Sequence, residues 1–305
     1  MTNTQVAPPA EPASYVLAEL GSQPEMWGRA ARVAADQVAI LPQPGERIAV
    51  VGCGTSWFVA QAYACYREQA GQGVTDPFAA SEFPAGRAYD LVVAITRSGT
   101  TTEVLELLAG LPESQRTLMI VGDADSPAAT AADNAVLLSF ADEKSVVQTR
   151  FATTALALLR AGLGQDLAPA IADCQQALQA ELPAGWQDKV HFVYLGHGPS
   201  VGLANEAALK MREAAIAWAE SYPAYDYRHG PIAVAEKHSL VWIFGEPPTG
   251  LAAEIEATGA SVELGTGDPM ATLVRAQRLA IELALHRGYD PDHPRNLTRS
   301  VILER

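Results

Sequence analysis

With 305 residues, the chain exceeds the usual size of a single hydrophobic core, so one large or two medium domains are expected. Apolar residues make up 49% and charged residues 18%, which is typical of a globular protein and unlike a disordered one. The formal net charge of −14 argues against a broad basic surface for nucleic acid or an anionic membrane. One phosphate group remains a suitable ligand, because a few local amides and hydroxyls can hold it.

The cysteines and the N-terminal residues indicate the cellular compartment. The three cysteines form no CxxC pair and no cluster with histidine at zinc-ligand spacing, so we expect a reducing cytoplasm and no metal site. The first residues are polar and Pro-rich without signal-peptide features, and no apolar run approaches about 18 residues. We expect residues 1–14 to be a flexible tail.

A strand-turn-helix pattern occurs twice along the chain. Residues 47–51 predict a buried strand that runs into a Gly-x-Gly turn, and residues 56–69 predict the helix that follows. Residues 190–195 and 200–218 repeat this order after a second Gly-x-Gly turn. The repeat predicts two similar halves, each opening like a parallel α/β unit.

Further strands and helices alternate within each half. Strands are predicted at residues 91–95, 117–121, 136–140, 240–244 and 261–264, and helices between them at residues 103–111, 145–162 and 271–287. The alternation predicts an α/β fold with a helix-covered parallel sheet in each half and ligands at the carboxyl ends of strands. A break near residues 181–188 divides the chain into domains 15–183 and 184–305.

Two loops of the first half could bind phosphate. Residues 52–56 are no dinucleotide fingerprint, because Trp57 stands at the third glycine position. They could hold one phosphate on free helix amides, or they could simply be a tight turn with an N-cap. Residues 96–102 carry five hydroxyl side chains, whereas an N-cap needs only one, so they predict a phosphate cradle. The equivalent residues 244–248 contain a glutamate and two prolines, which predicts no phosphate site in the second half.

The second half carries the acid and base candidates. Glu206, Lys210 and Glu213 share one face of a helix. This could be a solvated ion-pair face, but the Ala-rich apolar surroundings favour a cleft. His229, beside Gly-Pro in an aromatic loop, is a candidate acid or base. Residues 290–300 are either a tail or an ordered segment that packs back over a site.

Together these motifs resemble the tandem sugar isomerase (SIS) domain family, in particular the isomerase half of glucosamine-6-phosphate synthase. The resemblance covers about residues 16–304, and the matching motifs keep the family's order at residues 52–56, 96–101, 142–146, 206–213, 229–231 and 294–297. It implies two flavodoxin-like SIS subdomains of three α/β/α layers and a homodimer with shared active sites.

The resemblance also implies roles for residues. The phosphate-binding positions are Gly54, Thr55, Ser56, Thr96, Arg97, Ser98 and Thr101. Val146 and Gln148 would lie near the sugar, and Glu206 and Lys210 would line the same pocket. Glu213 matches the base that moves a proton between C1 and C2, and His229 matches a ring-opening group that reaches in from the neighbouring subunit. Glu143 matches a motif position whose role we interpret as structural.

The family's imine-forming lysine is matched by Arg299, which could still bind an anionic or hydroxylated part of the substrate. A guanidinium stays protonated and is a poor imine nucleophile, which argues against the synthase mechanism. The chain also shows no glutaminase domain and no cysteine at position 2, so we expect no use of glutamine.

The resulting expectation is an enzyme that acts on a hexose or hexosamine 6-phosphate by C1–C2 proton transfer, without metal or redox cofactor. An amino-sugar-phosphate deaminase or isomerase is favoured. A sugar-phosphate dehydratase or lyase and a non-catalytic sugar-phosphate sensor remain alternatives. A nucleotide-dependent dehydrogenase is disfavoured, because Trp57 interrupts the dinucleotide loop.

Overall fold

The computed structural model describes residues 11–303. Residues 1–10 of the predicted tail lie outside this range, whereas Ala13 is fully buried and its N–H donates to Oδ1 of Asp290 at 3.0 Å. Within the described range, none of the helices combines the length and hydrophobicity that crossing a bilayer requires.

The first subdomain is built on a parallel sheet with the strand order β2-β1-β3-β4-β5. Its strands are β1 (Ile48–Gly52), β2 (Thr75–Ala79), β3 (Leu91–Thr96), β4 (Thr117–Val121) and β5 (Asn134–Leu137). The central strands β1, β3 and β4 are buried along their whole length, as expected of a parallel sheet covered on both faces. The helices are α1 (Ser14–Gly21), α2 (Gln23–Asp36), α3 (Thr55–Gln69), α4 (Thr102–Gly110), α5 (Arg150–Gly162) and α6 (Ala168–Ala177).

The second subdomain repeats this plan with a sheet in the order β7-β6-β8-β9, which is also parallel. Its strands are β6 (His191–Gly196), β7 (Trp218–Pro223), β8 (Ser239–Phe244) and β9 (Ser261–Gly265), and its helices are α7 (Ser200–Ala215), α8 (Leu251–Ala257) and α9 (Pro269–His286). The two subdomains therefore confirm the predicted pair of α/β units with parallel sheets.

Helix α3 of the first subdomain packs against helix α7 of the second. Gly202 of α7 lies against the α3 backbone: a Cβ at this position would be 2.5 Å from the carbonyl oxygen of Phe58 and 2.7 Å from the amide nitrogen of Ala62. Only glycine allows this close approach. Next to it, Nδ2 of Asn205 donates to Oε1 of Gln61 at 2.7 Å. This packing brings Lys210 and Glu213 of α7 to the carboxyl ends of strands β1 and β3.

Several predicted boundaries shift for identifiable reasons. The helix predicted at 200–218 ends at Ala215, because Ile216 adopts a left-handed conformation with φ 51° and Trp218 begins strand β7. The helix predicted at 145–162 begins only at Arg150. The strand predicted at 136–140 is β5, Asn134–Leu137, because Ser139–Ala141 form a 3₁₀ turn.

Candidate active site

A pocket of about 210 Å³ lies where the strand order of the first sheet reverses, between β1 and β3. Ligands bind outside the carboxyl ends of strands at such a switch point. Twelve of the fourteen residues predicted to act in catalysis or to bind substrate line it, Glu206 and His229 being the exceptions: Gly54, Thr55, Ser56, Thr96, Arg97, Ser98, Thr101, Val146, Gln148, Lys210, Glu213 and Arg299.

The cradle after β3 does not use the Thr101 hydroxyl to cap helix α4. Gly99 has φ 64°, and a Cβ there would lie 1.8 Å from Oγ of Ser126, so the turn requires glycine. Thr101 is the N-cap residue of α4, yet its side chain makes no capping hydrogen bond. Its Oγ1 instead lies 3.4 Å from Oγ1 of Thr96. The Thr101 hydroxyl is therefore not consumed by helix capping, which favours the cradle over a decorated N-cap.

The loop after β1 faces the cradle across the pocket. Gly54 is the N-cap position of α3 and has φ 53°, and it offers no side chain to satisfy the first amides of that helix. Ser56 is 5% exposed and lines the pocket. The first turns of α3 and α4 thus lie at one cavity, and helix N-termini favour anions through their free amides and dipole.

Helix α7 contributes the carboxylate side of the pocket. Glu213 is partly exposed and accepts a hydrogen bond from Lys210, and Nζ of Lys210 also lies 3.4 Å from Oε1 of Glu206. Glu206 is fully buried beneath this pair and does not line the pocket. The expectation of a cleft rather than a solvated face therefore holds for Lys210 and Glu213.

Burial and mutual attraction shift the pKa values of Glu206 and Lys210. Desolvation raises the pKa of Glu206 to about 8, although the Lys210 ammonium opposes the rise. For Lys210, desolvation alone would lower the pKa, but attraction to Glu206 and Glu213 outweighs it and raises the pKa. Lys210 is therefore a charged donor that orients Glu213 and is not a free amine nucleophile.

The loop that carries Val146 and Gln148 is held by two buried carboxylates. Glu143 accepts hydrogen bonds from the backbone N–H groups of Thr149, Arg150 and Phe151 at 2.6, 2.8 and 3.1 Å. Glu19 of α1 accepts from the Lys144 N–H at 2.6 Å and from the Ser145 hydroxyl. These contacts are consistent with a structural role for Glu143, and they explain why α5 begins late.

Arg97 is a buried cation at the pocket, only 6% exposed. Its guanidinium donates to the carbonyls of Ser145 at 3.0 Å, Val146 at 3.2 Å and Arg299 at 2.8 Å. Desolvation lowers its pKa, with Glu143 opposing. The side chain thus ties the cradle to the sugar-side loop and to the C-terminal residues.

The C-terminal residues are ordered and lie over the pocket. Those that line it are Leu297, Thr298, Arg299, Ser300 and Val301. The guanidinium of Arg299 is directed to Asp142, with Nη2 2.6 Å from both carboxylate oxygens. The ordered alternative for this segment therefore holds, and Arg299 is engaged in an ion pair.

Some pocket residues were given no individual role from the sequence, and the predicted acid or base His229 lies elsewhere. Cys53, Glu103 and Ser300 also line the pocket. Ser300 directly follows Arg299 and belongs to residues 290–300, for which an ordered segment over a site was one of the two expectations. Burial raises the pKa of Cys53 to about 11, so it is a thiol at neutral pH. The exposed His229 ends the 3₁₀ turn Asp226–His229 and is not brought to this pocket, so its reach into another subunit stays a prediction.

Comparison with known proteins finds similarity to one domain family in part of the chain and to longer enzymes over most of it. Residues 40–161 match the SIS domain. A glutamine–fructose-6-phosphate aminotransferase (isomerizing) of Sulfurisphaera tokodaii is 29% identical over 85% of this chain and 50% of its own length. A second such enzyme, from Pyrobaculum aerophilum, is matched over 58% of its length, so the chain spans about half the length of these curated relatives.

Solved structures share the fold over almost the whole chain. A glucosamine-6-phosphate deaminase of Thermotoga maritima has a TM-score of 0.78 at 24% identity and covers 94% of this chain and 99% of its own. A tagatose-6-phosphate ketose/aldose isomerase of Escherichia coli has a TM-score of 0.74 at 21% identity, with 92% and 97% covered.

Proposed function

Because residues 40–161 form an SIS domain and the rest of the chain completes a tandem SIS-like fold, we propose that this protein is a phosphosugar isomerase or deaminase. The proposed substrate is a hexose or hexosamine 6-phosphate, and the reaction is proton transfer between C1 and C2. Among these chemistries we favour deamination of an amino-sugar phosphate.

The observation that carries the proposal is that one pocket joins two unlike groups. The hydroxyl cradle Thr96 to Thr101 comes from the first subdomain, and the carboxylate of Glu213 comes from the second. A phosphate held at one end fixes the position of the sugar carbons relative to the other end. This arrangement suits a substrate that is an anion at one terminus and loses a proton near the other.

Glu213 is the proposed base. In the opened sugar it accepts the proton from C2, the C2–H electron pair forms the C1=C2 double bond, and the C1 carbonyl electrons move to O1, which takes a proton from solvent; the product is an enediol, or an enolamine when C2 bears nitrogen. Return of the proton to C1, with loss of a proton from O2 or from the C2 nitrogen to solvent, gives the ketose, or an imine at C2. Water then adds to the C2 imine carbon and ammonia leaves, which completes deamination. The Lys210 ammonium stays protonated beside Glu213 and orients it.

The environment of Arg299 favours this route over a lysine imine. Its guanidinium is paired with Asp142, and a guanidinium is in any case a poor nucleophile. The named deaminase and ketose/aldose isomerase among the structural neighbours add support by likeness of fold. The use of glutamine that the longer relatives' name describes is therefore not part of our proposal.

We propose that His229 opens the sugar ring in the active site of a neighbouring subunit, so that each site of a homodimer is shared between two chains. Its exposed position on the 3₁₀ turn leaves the ring accessible to another copy of the chain. Mixing inactive Glu213→Gln protein with inactive His229→Ala protein tests this directly, because a mixed dimer has one site that contains both native residues. Regained activity on subunit exchange supports the shared site, and no regain contradicts it.

Ammonia release from glucosamine 6-phosphate tests the favoured chemistry. We expect release by the wild type and by Glu256→Gln, which alters an exposed acid on α8, and none above background by Glu213→Gln. Ketose formation without ammonia from an unaminated sugar phosphate would instead indicate a plain isomerase. Phosphate-dependent binding without any turnover would identify a sensor and contradict the proposal.

A further inference from the structure

Residues 292–303, here called the C-terminal strap, cross the pocket between two fixed ends. At the start, the Asp292 carboxylate accepts hydrogen bonds from the N–H groups of Tyr15 and Val16 at 2.9 and 2.8 Å and so caps α1. At the far end, the Thr102 N–H donates to the Val301 carbonyl at 3.4 Å, and the Leu303 N–H donates to Oγ1 of Thr102 at 3.0 Å. The strap therefore meets the N-terminus of α4.

The middle of the strap is held by two contacts: the Arg97 side chain binds the strap backbone, and the side chain of the strap residue Arg299 binds the body of the protein. Arg97 donates from the cradle to the carbonyl of Arg299, while the side chain of Arg299 leaves the strap and pairs with Asp142. Arg299 also donates to the Glu143 carbonyl at 3.3 Å and lies 3.5 Å from Oδ2 of Asp123. Residues 295–298 and 301–303 of the strap are exposed, so the contacts of Arg299 fix its path over the pocket.

The closed strap places one more hydroxyl at the cradle. Oγ of Ser300 lies 3.0 Å from Oγ of Ser98 and 2.9 Å from Oγ1 of Thr100, and it accepts a hydrogen bond from each. A serine oxygen has two lone pairs and one proton, so Ser300 keeps its own O–H for a further partner. Two accepted hydrogen bonds polarise that O–H and make it a better donor to an anion.

We propose that Ser300 is a phosphate-binding residue delivered by the strap and that Arg299, through its ion pair with Asp142, is the positioning residue that holds it there. This rests on the proposed phosphosugar substrate. In this arrangement Arg299 keeps Ser300 at the cradle and does not itself react with the substrate. Opening of the Arg299–Asp142 ion pair releases Ser300 from the cradle.

Binding of inorganic phosphate to the full chain, measured by titration calorimetry, tests the proposal independently of turnover. Ser300→Ala, Arg299→Ala and Asp142→Ala are each expected to weaken binding by about five- to tenfold. The Arg299→Ala/Asp142→Ala double variant is expected to bind no more weakly than the weaker single variant, because one contact is lost in both. Arg295→Ala, which removes an exposed arginine of the same strap, is the matched control and should not change the affinity.

Two further variants separate positioning from a general effect on folding. Arg299→Lys should restore part of the affinity, and the exchanged pair Arg299→Asp/Asp142→Arg should restore most of it. Ser300→Ala leaves the ion pair in place, so it tests the hydroxyl even if the charge variants unfold. In a turnover assay, the loss at Arg299 and Ser300 should be in KM more than in kcat.

Unchanged or tighter phosphate binding by Ser300→Ala would overturn the proposal, since the hydroxyl would then be neutral or would obstruct the cradle. Additive losses in the double variant would also overturn it. If the wild type lacks turnover but shows the expected phosphate pattern, the proposed function fails while the role of the strap is supported. If turnover is present and Arg299→Ala binds phosphate normally, the proposed function is supported and the positioning role of Arg299 fails.

Discussion

Nζ of Lys210 lies 3.4 Å from Oε1 of Glu206, one turn away on the same helix, and both side chains are buried. Burial raises the pKa of Glu206 from its ordinary value of 4.5 to about 8, against the opposing effect of Lys210. A carboxyl group whose pKa rises on folding binds more protons in the folded state. Stability contributed by this group is therefore lost as the pH rises from about 4.5 through about 8.

Glu206→Gln keeps the shape of the side chain and removes its titration. We expect the thermal midpoint of the wild type to fall, relative to that of the variant, as the pH rises across this window. Thermal unfolding of both proteins in half-unit pH steps measures the difference. Parallel curves would show that the ionisation of Glu206 does not change on folding.

Gly99→Ala should damage the cradle, because residue 99 has φ 64° and the added Cβ would lie 1.8 Å from the Ser126 hydroxyl. The expected loss is about 1–3 kcal/mol of unfolding free energy, with weaker phosphate binding. Gly110→Ala is the matched control, since a Cβ there has nothing within 4 Å. It should be neutral or slightly stabilising in denaturant melts. Equal losses in both variants would contradict the argument.

Arg299 should form no imine with a ketose phosphate. Its guanidinium is protonated and paired with Asp142, and the nearby Lys210 is held as a charged ammonium between two glutamates. Treatment with borohydride in the presence of fructose 6-phosphate should therefore leave the mass of the wild-type chain unchanged. A reduced covalent adduct at Lys210 would contradict the enediol route and indicate imine chemistry.

The sequence allowed the site to be predicted where chemistry and chain position coincide. A run of hydroxyls after a buried strand indicated the cradle, and charges on an Ala-rich helix indicated a cleft, since both signals are local. The edge strands β2 and β7 were missed because each contains a proline and polar residues in place of an apolar run. Edge strands tolerate such residues, so their pairing leaves little trace in the sequence.

The features that the sequence did not predict depend on contacts between residues far apart in the chain. Ser300 meets Ser98 across 202 positions, and the sequence of residues 290–300 left a tail and an ordered segment as open alternatives. The contact becomes visible only once Asp292 and Arg299 are seen to hold the strap at α1 and Asp142. His229 shows the opposite case, because its predicted role depends on a second subunit and cannot be read from one chain.

The central claim, that Glu213 moves a proton at C2 of a phosphate-anchored sugar, is tested most directly by hydrogen exchange in heavy water. Glucosamine 6-phosphate and its unaminated analogue are incubated with the wild type or with Glu213→Gln, and deuterium at C1 and C2 is followed by NMR. We predict incorporation with the wild type and none above background with the variant, while both proteins bind inorganic phosphate with similar affinity. Exchange that persists in Glu213→Gln, or wild-type protein that binds the sugar phosphate without any exchange, would contradict the account.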